Sequence, residues 1–514
     1  AYSVSRYCPE KEKRFGDIFL TPFEGGEPRQ LTRGDGVESS YSWSPDSSTV
    51  LFSAERGDDE KSQIYAIKID GGEARRITDI DSGASNPLWS PDSNRIAFSD
   101  IYGKLFVVTV ADGAEVEVAD DIFGFIGDYQ WSPDSKYLAF SLNNVHGMSR
   151  VFIWSNGNEP RQVTSDLFDS YNPVWCGGGN YLFFISERHY VPQISNLEWN
   201  YAGNDRDGIY ALALQKDGKA LFPAESDEVE FKEKKEDEAE EKKADKNGKK
   251  DDEAEKKEET KPVVIDFVGL ADRIMRVPVD PANITGMAAI KGHLLYSTTG
   301  ANFYGRSNAK TRKLHIYSIE DREGSEIVKS GLRGWAVSTD GKKVLAQTSK
   351  GFQLLDAKMK GGEAKKVSTK DLAVDLVPTE EWEEIFDEAW RRFRDFFYAA
   401  NMHGYDWEAI REQYRPQLKY VAHRSDLNYV LTEMVSELNA GHTYIVGGDF
   451  EIPDRAPVGL PGALFELDEE AGLYRIASIY RGHNAESKYR SPLTEVGIDL
   501  SVGDYVLAID GREL

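Results

Sequence analysis

The feature that most constrains this chain is a five-residue phrase, Trp-Ser-Pro-Asp-Ser, that occurs three times. The copies lie at residues 43–47, 89–93 and 131–135, and a degenerate fourth copy begins with Trp-Cys-Gly at residues 175–177. Successive copies start 46, 42 and 44 residues apart. A period of about 40–45 residues made of short strands is typical of β-propeller blades. The sequence therefore indicates a repeat protein.

Each copy has the pattern of a β-hairpin turn. An apolar strand ends at the tryptophan, and a second apolar strand returns, as at residues 49–53 and 95–99. Proline fixes φ at the first turn position, and Asp or Ser side chains bond the backbone just beyond it. A third strand follows, and then a fourth that ends in a closing phrase, so that each repeat predicts a four-stranded blade. The closing phrases are Leu31-Thr32, Ile77-Thr78 and Val163-Thr164.

The number of repeats predicts about seven blades, within the usual range of about 4–8. Residues 1–32 supply only three strands, so we expect the first blade to lack its opening strand and the chain to begin inside a longer protein. Degenerate hairpins at residues 287–297 and 335–348 and a closing phrase at 361–368 continue the pattern. We therefore predict a mainly β protein with a propeller over residues 1–372.

Composition excludes several kinds of protein. Hydrophobic residues make up 40% of the chain, but no apolar run approaches the length of about 18 residues that a membrane span needs. The net charge of −26 argues against nucleic acid as a partner, because phosphates would be repelled. Cys8 and Cys176 are too few for a disulfide framework or a metal cluster. We expect neither a metal nor a cofactor.

Residues 225–261 are rich in Glu, Asp, Lys and Ala. Such a segment cannot bury enough apolar surface to offset the loss of chain entropy, so we predict a disordered or loosely helical insert between blades. A solvated spacer is the simplest interpretation, and an acidic arm that binds a partner is the alternative.

After residue 368 the apolar period changes from that of a strand to that of a helix. Thr379 behind Pro378 is a candidate N-cap, and a second helix is predicted from Ser425. The residues predicted to form the two apolar faces are Trp382, Phe386, Ala389, Trp390, Phe393 and Phe397 on the first helix and Leu427, Val430, Leu431, Met434, Val435 and Leu438 on the second.

The second helix leads into Leu-Asn-Ala-Gly-His-Thr-Tyr at residues 438–444. Gly441 is the expected C-terminal stop. His442 then follows on a tight turn, where its ring can project into a cleft. On spacing alone, a structural or surface role for His442 is favoured over a catalytic one.

The order of propeller, helical bundle and Gly-His-Thr-Tyr resembles the tricorn protease family, serine peptidases related to the C-terminal-processing peptidases. The resemblance also covers residues 265–278 and implies a TolB-like propeller over 1–372 and a tricorn-like bundle over 376–452. In this family the propeller is thought to guide unfolded peptide, and the His at the end of the bundle is the general base. The resemblance thus implies that His442 is the base, with the nucleophilic Ser in a later domain. The archetype has Ser where this chain has Gly441.

Residues 455–514 are similar to a truncated PDZ domain. Gly459, Leu460, Pro461 and Gly462 resemble a PDZ entrance loop, and residues 502–511 resemble a strand and turn of protease PDZ domains. A PDZ groove binds extended peptide by adding a strand. A PDZ domain that serves only as a spacer is equally consistent with the sequence.

Family resemblance further implies peptide substrates, a homo-oligomer (a hexamer in archaeal members) and a cytoplasmic location, with export as the alternative. Two other classes of protein are the alternatives. A prolyl-oligopeptidase-type hydrolase is disfavoured because the chain has no Gly-x-Ser-x-Gly pentapeptide. A propeller-PDZ scaffold that binds peptides without cutting them remains open.

Overall fold

A computed structural model of the chain divides into two compact units, Ala1–Ala373 and Val374–Leu514. The predicted insert, apart from Lys261, lies outside the residues that the structure describes. The predicted domain limits (1–372, 376–452 and 455–514) remain predictions. The described residues are 1–8, 13–22, 26–34, 36–123, 126–189, 192–194, 201–203, 205–223, 261–300, 311–369, 377–448 and 458–513.

The described part of the first unit contains seven antiparallel propeller sheets, six with four strands and the first with three. The prediction of about seven blades is therefore confirmed. The first four sheets comprise β1 (Tyr2–Cys8), β2 (Lys13–Leu20) and β3 (Arg29–Gln30); β4 (Ser39–Trp43), β5 (Thr49–Ala54), β6 (Gln63–Lys68) and β7 (Arg75–Arg76); β8 (Ser85–Trp89), β9 (Arg95–Ser99), β10 (Lys104–Thr109) and β11 (Glu115–Asp120); and β12 (Gln130–Trp131), β13 (Tyr137–Asn143), β14 (Ser149–Ser155) and β15 (Arg161–Gln162).

In each sheet the strands pair in chain order, except where a separate two-stranded ribbon interrupts the fifth sheet. The last three sheets comprise β16 (Ser170–Trp175), β17 (Tyr181–Glu187), β20 (Asp207–Ala213) and β21 (Ile274–Arg276), with the ribbon β18 (Pro192–Ile194) and β19 (Tyr201–Gly203); β22 (Asn283–Ile290), β23 (His293–Thr299), β24 (Lys313–Ser318) and β25 (Glu323–Val328); and β26 (Leu332–Val337), β27 (Lys343–Thr348), β28 (Gly351–Asp356) and β29 (Lys365–Lys366).

The repeated phrase builds its turn through side-chain bonds. In the third copy the Ser132 hydroxyl donates to Asp134 (2.7 Å) and accepts from the Tyr137 N–H (2.9 Å). Asp134 also accepts from the Lys136 N–H (3.2 Å), and Ser135 has a left-handed φ of 63°. The predicted turn chemistry is thus present. The corresponding hydroxyl-to-carboxylate pairs of the other copies are Ser44 with Asp46 and Ser90 with Asp92.

The threonine of the closing phrase also has a repeated role. In the first sheet the Ile18 N–H donates to the buried Thr32 hydroxyl oxygen at 2.8 Å. Thr78 and Thr164 accept in the same way from backbone N–H groups of β6 and β14, both at 2.9 Å. The hydroxyl therefore satisfies a strand amide where the short outer strand ends.

Tryptophans join neighbouring blades. The Trp131 indole N–H donates to the Leu88 carbonyl of the preceding blade (3.3 Å), and Trp175 donates to the Gln130 carbonyl (3.0 Å). Both side chains are buried. Trp43, the tryptophan of the first copy, is 37% exposed.

The second unit begins with a helical bundle. Its helices are α1 (Pro378–Phe396), α2 (Trp407–Tyr414) and α3 (Arg424–Ser436), with 3₁₀ turns at Met402–Gly404 and Arg415–Tyr420. The predicted apolar faces form one core, in which Phe386, Leu427, Met434 and Leu438 are fully buried.

Both predicted helix starts are too late, the first by two residues and the second by one. α1 starts at Pro378, so Thr379 lies inside the first turn and Val377 is the N-cap. Proline suits this first helical position because its φ is already helical and its missing N–H would have no partner there. α3 starts at Arg424, capped by His423, whose ring accepts from the Ser425 N–H.

The rest of the second unit contains a small antiparallel sheet followed by a hairpin. The sheet pairs its three strands in the order of the chain. The strands of the sheet and hairpin are β30 (Ala463–Asp468), β31 (Leu473–Ile479), β32 (Tyr505–Val506), β33 (Ala508–Ile509) and β34 (Arg512–Glu513), with 3₁₀ turns at Ser487–Tyr489 and Pro492–Thr494.

Candidate functional site

The predicted catalytic segment begins where α3 ends. Beyond Ser436, the Leu438 N–H bonds the Val435 carbonyl (3.2 Å) and the Asn439 N–H bonds the Ser436 carbonyl (3.0 Å). Asn439 then adopts a left-handed backbone with φ of 48°. The prediction that Gly441 ends the helix is therefore wrong. The left-handed position belongs to an asparagine, which can also close a helix in this conformation.

His442 lies on the turn that follows, and its side chain is exposed. Its φ of 61° is left-handed, which is uncommon for a residue other than glycine. Nδ1 lies 3.2 Å from the Tyr444 hydroxyl, and the two rings meet edge to face with centroids 6.3 Å apart. Strained backbone of this kind concentrates at functional sites.

Contacts on both sides fix the course of this segment. The Leu438 side chain is fully buried in the bundle core. The Thr443 hydroxyl donates to the Ala440 carbonyl at 3.1 Å, which closes the turn around His442. Further along, the Asn428 side-chain amide on α3 donates to the Gly447 carbonyl at 2.6 Å. The exposed imidazole is therefore carried on an anchored backbone.

Two side chains that no sequence pattern signals hold the end of α3. The Nδ1 atom of His403 lies 2.9 Å from the Leu438 carbonyl oxygen. The Tyr414 hydroxyl donates to Glu437 at 2.6 Å, and this bond raises the pKa of Tyr414 to about 12. These pairs are 35 and 23 residues apart in the chain, so no local pattern could have signalled them.

Gly441, directly before His442, borders open space. A Cβ atom built on it would meet nothing within 4 Å, and its φ lies outside the left-handed region. The position therefore has room for a serine side chain, although this chain carries none there.

The predicted PDZ entrance loop leads directly into β30. Leu460 is 76% exposed, and the Gly462 carbonyl accepts from the Tyr480 N–H at 2.8 Å. Gly462 has a φ of 80°, and a Cβ there would lie 2.5 Å from the Ser491 hydroxyl oxygen. Glycine is required at this position both for its backbone conformation and for lack of space.

The same sheet carries a cavity of about 220 Å³ lined by Phe465, Tyr474, Val506 and Ile509. Its wall is apolar, which suits an apolar side chain of a bound peptide better than a charged one.

An exposed imidazole on an anchored turn can take up and return a proton. When Nδ1 carries the hydrogen and donates it to Tyr444, the Nε2 lone pair is the one that accepts a proton. Among the described residues, no three His, Cys, Asp or Glu side chains are arranged to hold a metal ion. None of the described helices has both the length and the apolarity that a bilayer crossing needs.

Three family models match successive parts of the chain. The tricorn protease second beta propeller domain matches residues 14–358, the tricorn protease C1 domain residues 378–436, and the tricorn protease PDZ domain residues 459–514. The predicted fold class, a propeller followed by a helical bundle and a PDZ domain, is thereby confirmed.

Individual relatives agree with these matches. A tricorn protease homolog from Saccharolobus solfataricus is 25% identical over 360 residues, which cover 68% of this chain and 31% of that protein. Tricorn protease homolog 1 from Streptomyces coelicolor is 30% identical over 392 residues, which cover 70% of this chain and 35% of that protein. The chain thus spans about a third of the length of these relatives.

The crystal structure of the tricorn protease has the same fold. It superposes with a TM-score of 0.67 at 18% identity, over 99% of this chain and 51% of the other. Because the propeller model alone matches residues 14–358, well over half of the sequence, the chain belongs to the tricorn protease family.

Proposed function

We propose that this chain is part of a serine-type peptidase that degrades peptides, with His442 as the general base. The observation that carries the proposal is the placement of an exposed His442 on a left-handed turn six residues beyond the end of α3. Membership of the tricorn protease family supports the reaction class.

In this mechanism Nε2 of His442 takes the proton from a serine hydroxyl as its oxygen attacks the peptide carbonyl. The same nitrogen then returns the proton to the leaving amine. Tyr444 assists by accepting the Nδ1 hydrogen, which keeps the ring in the tautomer that can act as base.

The nucleophilic serine and the oxyanion-hole donors belong to sequence outside residues 1–514. The relatives support this assignment, since the chain spans only 31% and 35% of their lengths. Gly441 replaces the serine that precedes the base in the archetype, so the function of that serine is absent or is supplied by another residue.

Peptide handling is assigned to the other two regions by family resemblance. The propeller guides peptide toward the active site, and the loop at Gly459, Leu460, Pro461 and Gly462 with the nearby apolar cavity binds an extended segment. A homo-oligomer, hexameric by resemblance, and a cytoplasmic location complete the proposal.

The test compares His442→Ala with wild type in the full-length protein, using fluorogenic peptides. We expect kcat to fall by about 1,000-fold or more, because members of a catalytic unit act together. Peptide affinity and the melting midpoint should change little, since the exposed ring fills no core space.

His483→Ala is the matched control, because it truncates another exposed histidine of the same unit. Its kcat should equal that of wild type. An unchanged kcat in His442→Ala would exclude this residue as the base, and binding without turnover in wild type would favour the scaffold. A large loss of stability in His442→Ala would assign the ring a structural role.

A further inference from the structure

The connection between α1 and α2 contains an unusual run of left-handed backbone. Met402 and His403 have φ values of 50° and 56°, and Gly404 follows at 85°. Two consecutive residues with a Cβ atom in this region are strained, and such a turn persists only when its surroundings hold it. Met402 provides one such anchor, because its side chain is buried in the bundle core.

The strained turn directs the His403 ring at the end of another helix. Nδ1 lies 2.9 Å from the Leu438 carbonyl oxygen, and Nε2 bonds the Tyr398 hydroxyl. The ring also meets Phe397 and Tyr398 edge to face, with centroids 5.0 and 5.2 Å away. Because a carbonyl only accepts, Nδ1 must carry the hydrogen in this contact. The imidazole is thereby fixed in both tautomer and orientation.

The bonded carbonyl lies just beyond the last turn of α3. Carbonyls at a helix C-terminus have no partner within the helix, and His403 supplies one from a different connection. The Leu438 side chain is fully buried. Both its side chain and its carbonyl are therefore held, four residues before His442.

Between that point and the candidate base, Ala440 packs against the bundle core and its carbonyl accepts from the Thr443 hydroxyl at 3.1 Å. Asn439 turns the backbone with a φ of 48°, and Gly441 has no side chain and borders open space. Leu438 is therefore the anchor of this turn on the α3 side of His442.

We propose that His403 is a positioning residue. By holding the Leu438 carbonyl, it fixes the 438–442 turn in the geometry that presents His442 to the reacting groups. This inference rests on the proposed function of His442 as a base. The His403 ring acts through the backbone and takes no part in proton transfer.

Three substitutions isolate the hydrogen bond from the backbone strain. His403→Asn keeps a donor close to the Nδ1 position and tolerates a left-handed backbone, whereas His403→Asp has the same shape but only accepts. His403→Gly removes the donor without adding charge and relieves the strain. If the Asp variant does not fold, the Gly variant alone decides the test.

The first measurement uses residues 1–514 and records the ring carbon–proton NMR signals of His442. We expect the Asp and Gly variants to shift or broaden these signals and the Asn variant to retain them. His146, an exposed propeller histidine, serves as the internal control. Unchanged His442 signals in both the Asp and Gly variants would overturn the inference.

The second measurement is peptide turnover by the full-length protein. Misplacing a catalytic group by about 1 Å can cost about 100-fold in rate, so kcat should fall at least about 10-fold in the Asp and Gly variants. KM should stay within about 2-fold, and the Asn variant should recover most of kcat. If His442→Ala abolishes turnover while the Asp and Gly variants retain it, the positioning role is wrong.

The two proposals fail in different ways. If His442→Ala leaves turnover unchanged, the proposed base is wrong, yet the NMR experiment still decides whether His403 holds the turn. A second outcome is that the Asp and Gly variants of His403 lose kcat, while the Asn variant has the melting midpoint of wild type but does not recover kcat. The His403 ring then acts by a route other than its hydrogen bond to the Leu438 carbonyl, and the inference is wrong.

Discussion

Replacing Ser132 with alanine should destabilise its blade far more than the same change at Ser338. Both serines occupy the first turn position of a blade hairpin and make the same two bonds. Ser132 donates to Asp134 (2.7 Å) and accepts from a backbone N–H (2.9 Å). Ser338 donates to Asp340 (2.6 Å) and accepts from the Lys343 N–H (2.9 Å). The difference between them is burial, since Ser132 is fully buried and Ser338 is exposed.

The expected magnitudes follow from that difference. In Ser132→Ala the hydrogen bond to a carboxylate is lost and the Tyr137 N–H loses its side-chain acceptor, at a cost of about 2–3 kcal/mol in the free energy of unfolding. In Ser338→Ala water replaces the hydroxyl, and the cost should be below about 1 kcal/mol. The two variants remove the same atoms, so intrinsic turn preference cancels in the comparison.

Native-state hydrogen exchange is the suitable assay, because the chain has two compact units and its unfolding need not be two-state. The Tyr137 amide should exchange about 30- to 140-fold faster in Ser132→Ala, and the Lys343 amide less than about 5-fold faster in Ser338→Ala. Equal effects at the two sites would refute the argument that burial determines the cost of this bond.

Two further predictions concern single sites. Gly441→Ser should change the melting midpoint of residues 1–514 very little, because a Cβ there meets nothing within 4 Å; a drop of many degrees would show that the turn has no such room. The Ser44 hydroxyl, followed by the Ser48 N–H and hydroxyl, lowers the pKa of Asp46 from 3.8 to about 2. Because the folded pKa is the lower one, the stabilisation is present above the unfolded value and lost as pH falls toward 2. Asp46→Asn should therefore flatten the fall of the urea midpoint between pH 4 and 2, and an unchanged slope would contradict the assignment.

The propeller could be predicted from the sequence because its information is local and repeated. Each copy of the phrase specifies a turn through bonds spanning a few residues, such as Ser132 to Asp134 and to the Tyr137 N–H. Repetition at a fixed period then identifies the architecture even where single copies are degenerate. The three-stranded first sheet was predictable for the same reason, since residues 1–32 contain a closing phrase but no opening one.

The helix ends were less predictable because several residue types satisfy the same backbone requirement. Thr379 is a good N-cap, but Pro378 beside it is equally good as the first helical residue, and the structure starts the helix there. Gly441 is a good C-terminal stop, but the left-handed residue that follows α3 is Asn439, two residues earlier. Local preference makes each of these residues a candidate for the helix end, and tertiary packing determines which one is used.

The orientation of the turn that carries His442 could not be predicted from the sequence. That a histidine follows the helix could be read directly, but the orientation of its turn depends on Leu438, whose carbonyl is bonded by a ring 35 residues earlier. That ring reaches the carbonyl only because Met402 and His403 adopt a conformation that their own side chains disfavour. Local sequence preference would have predicted a backbone with negative φ at both positions. Where tertiary contacts override local preference at two neighbouring residues, the override itself indicates that the surrounding fold holds this connection in place.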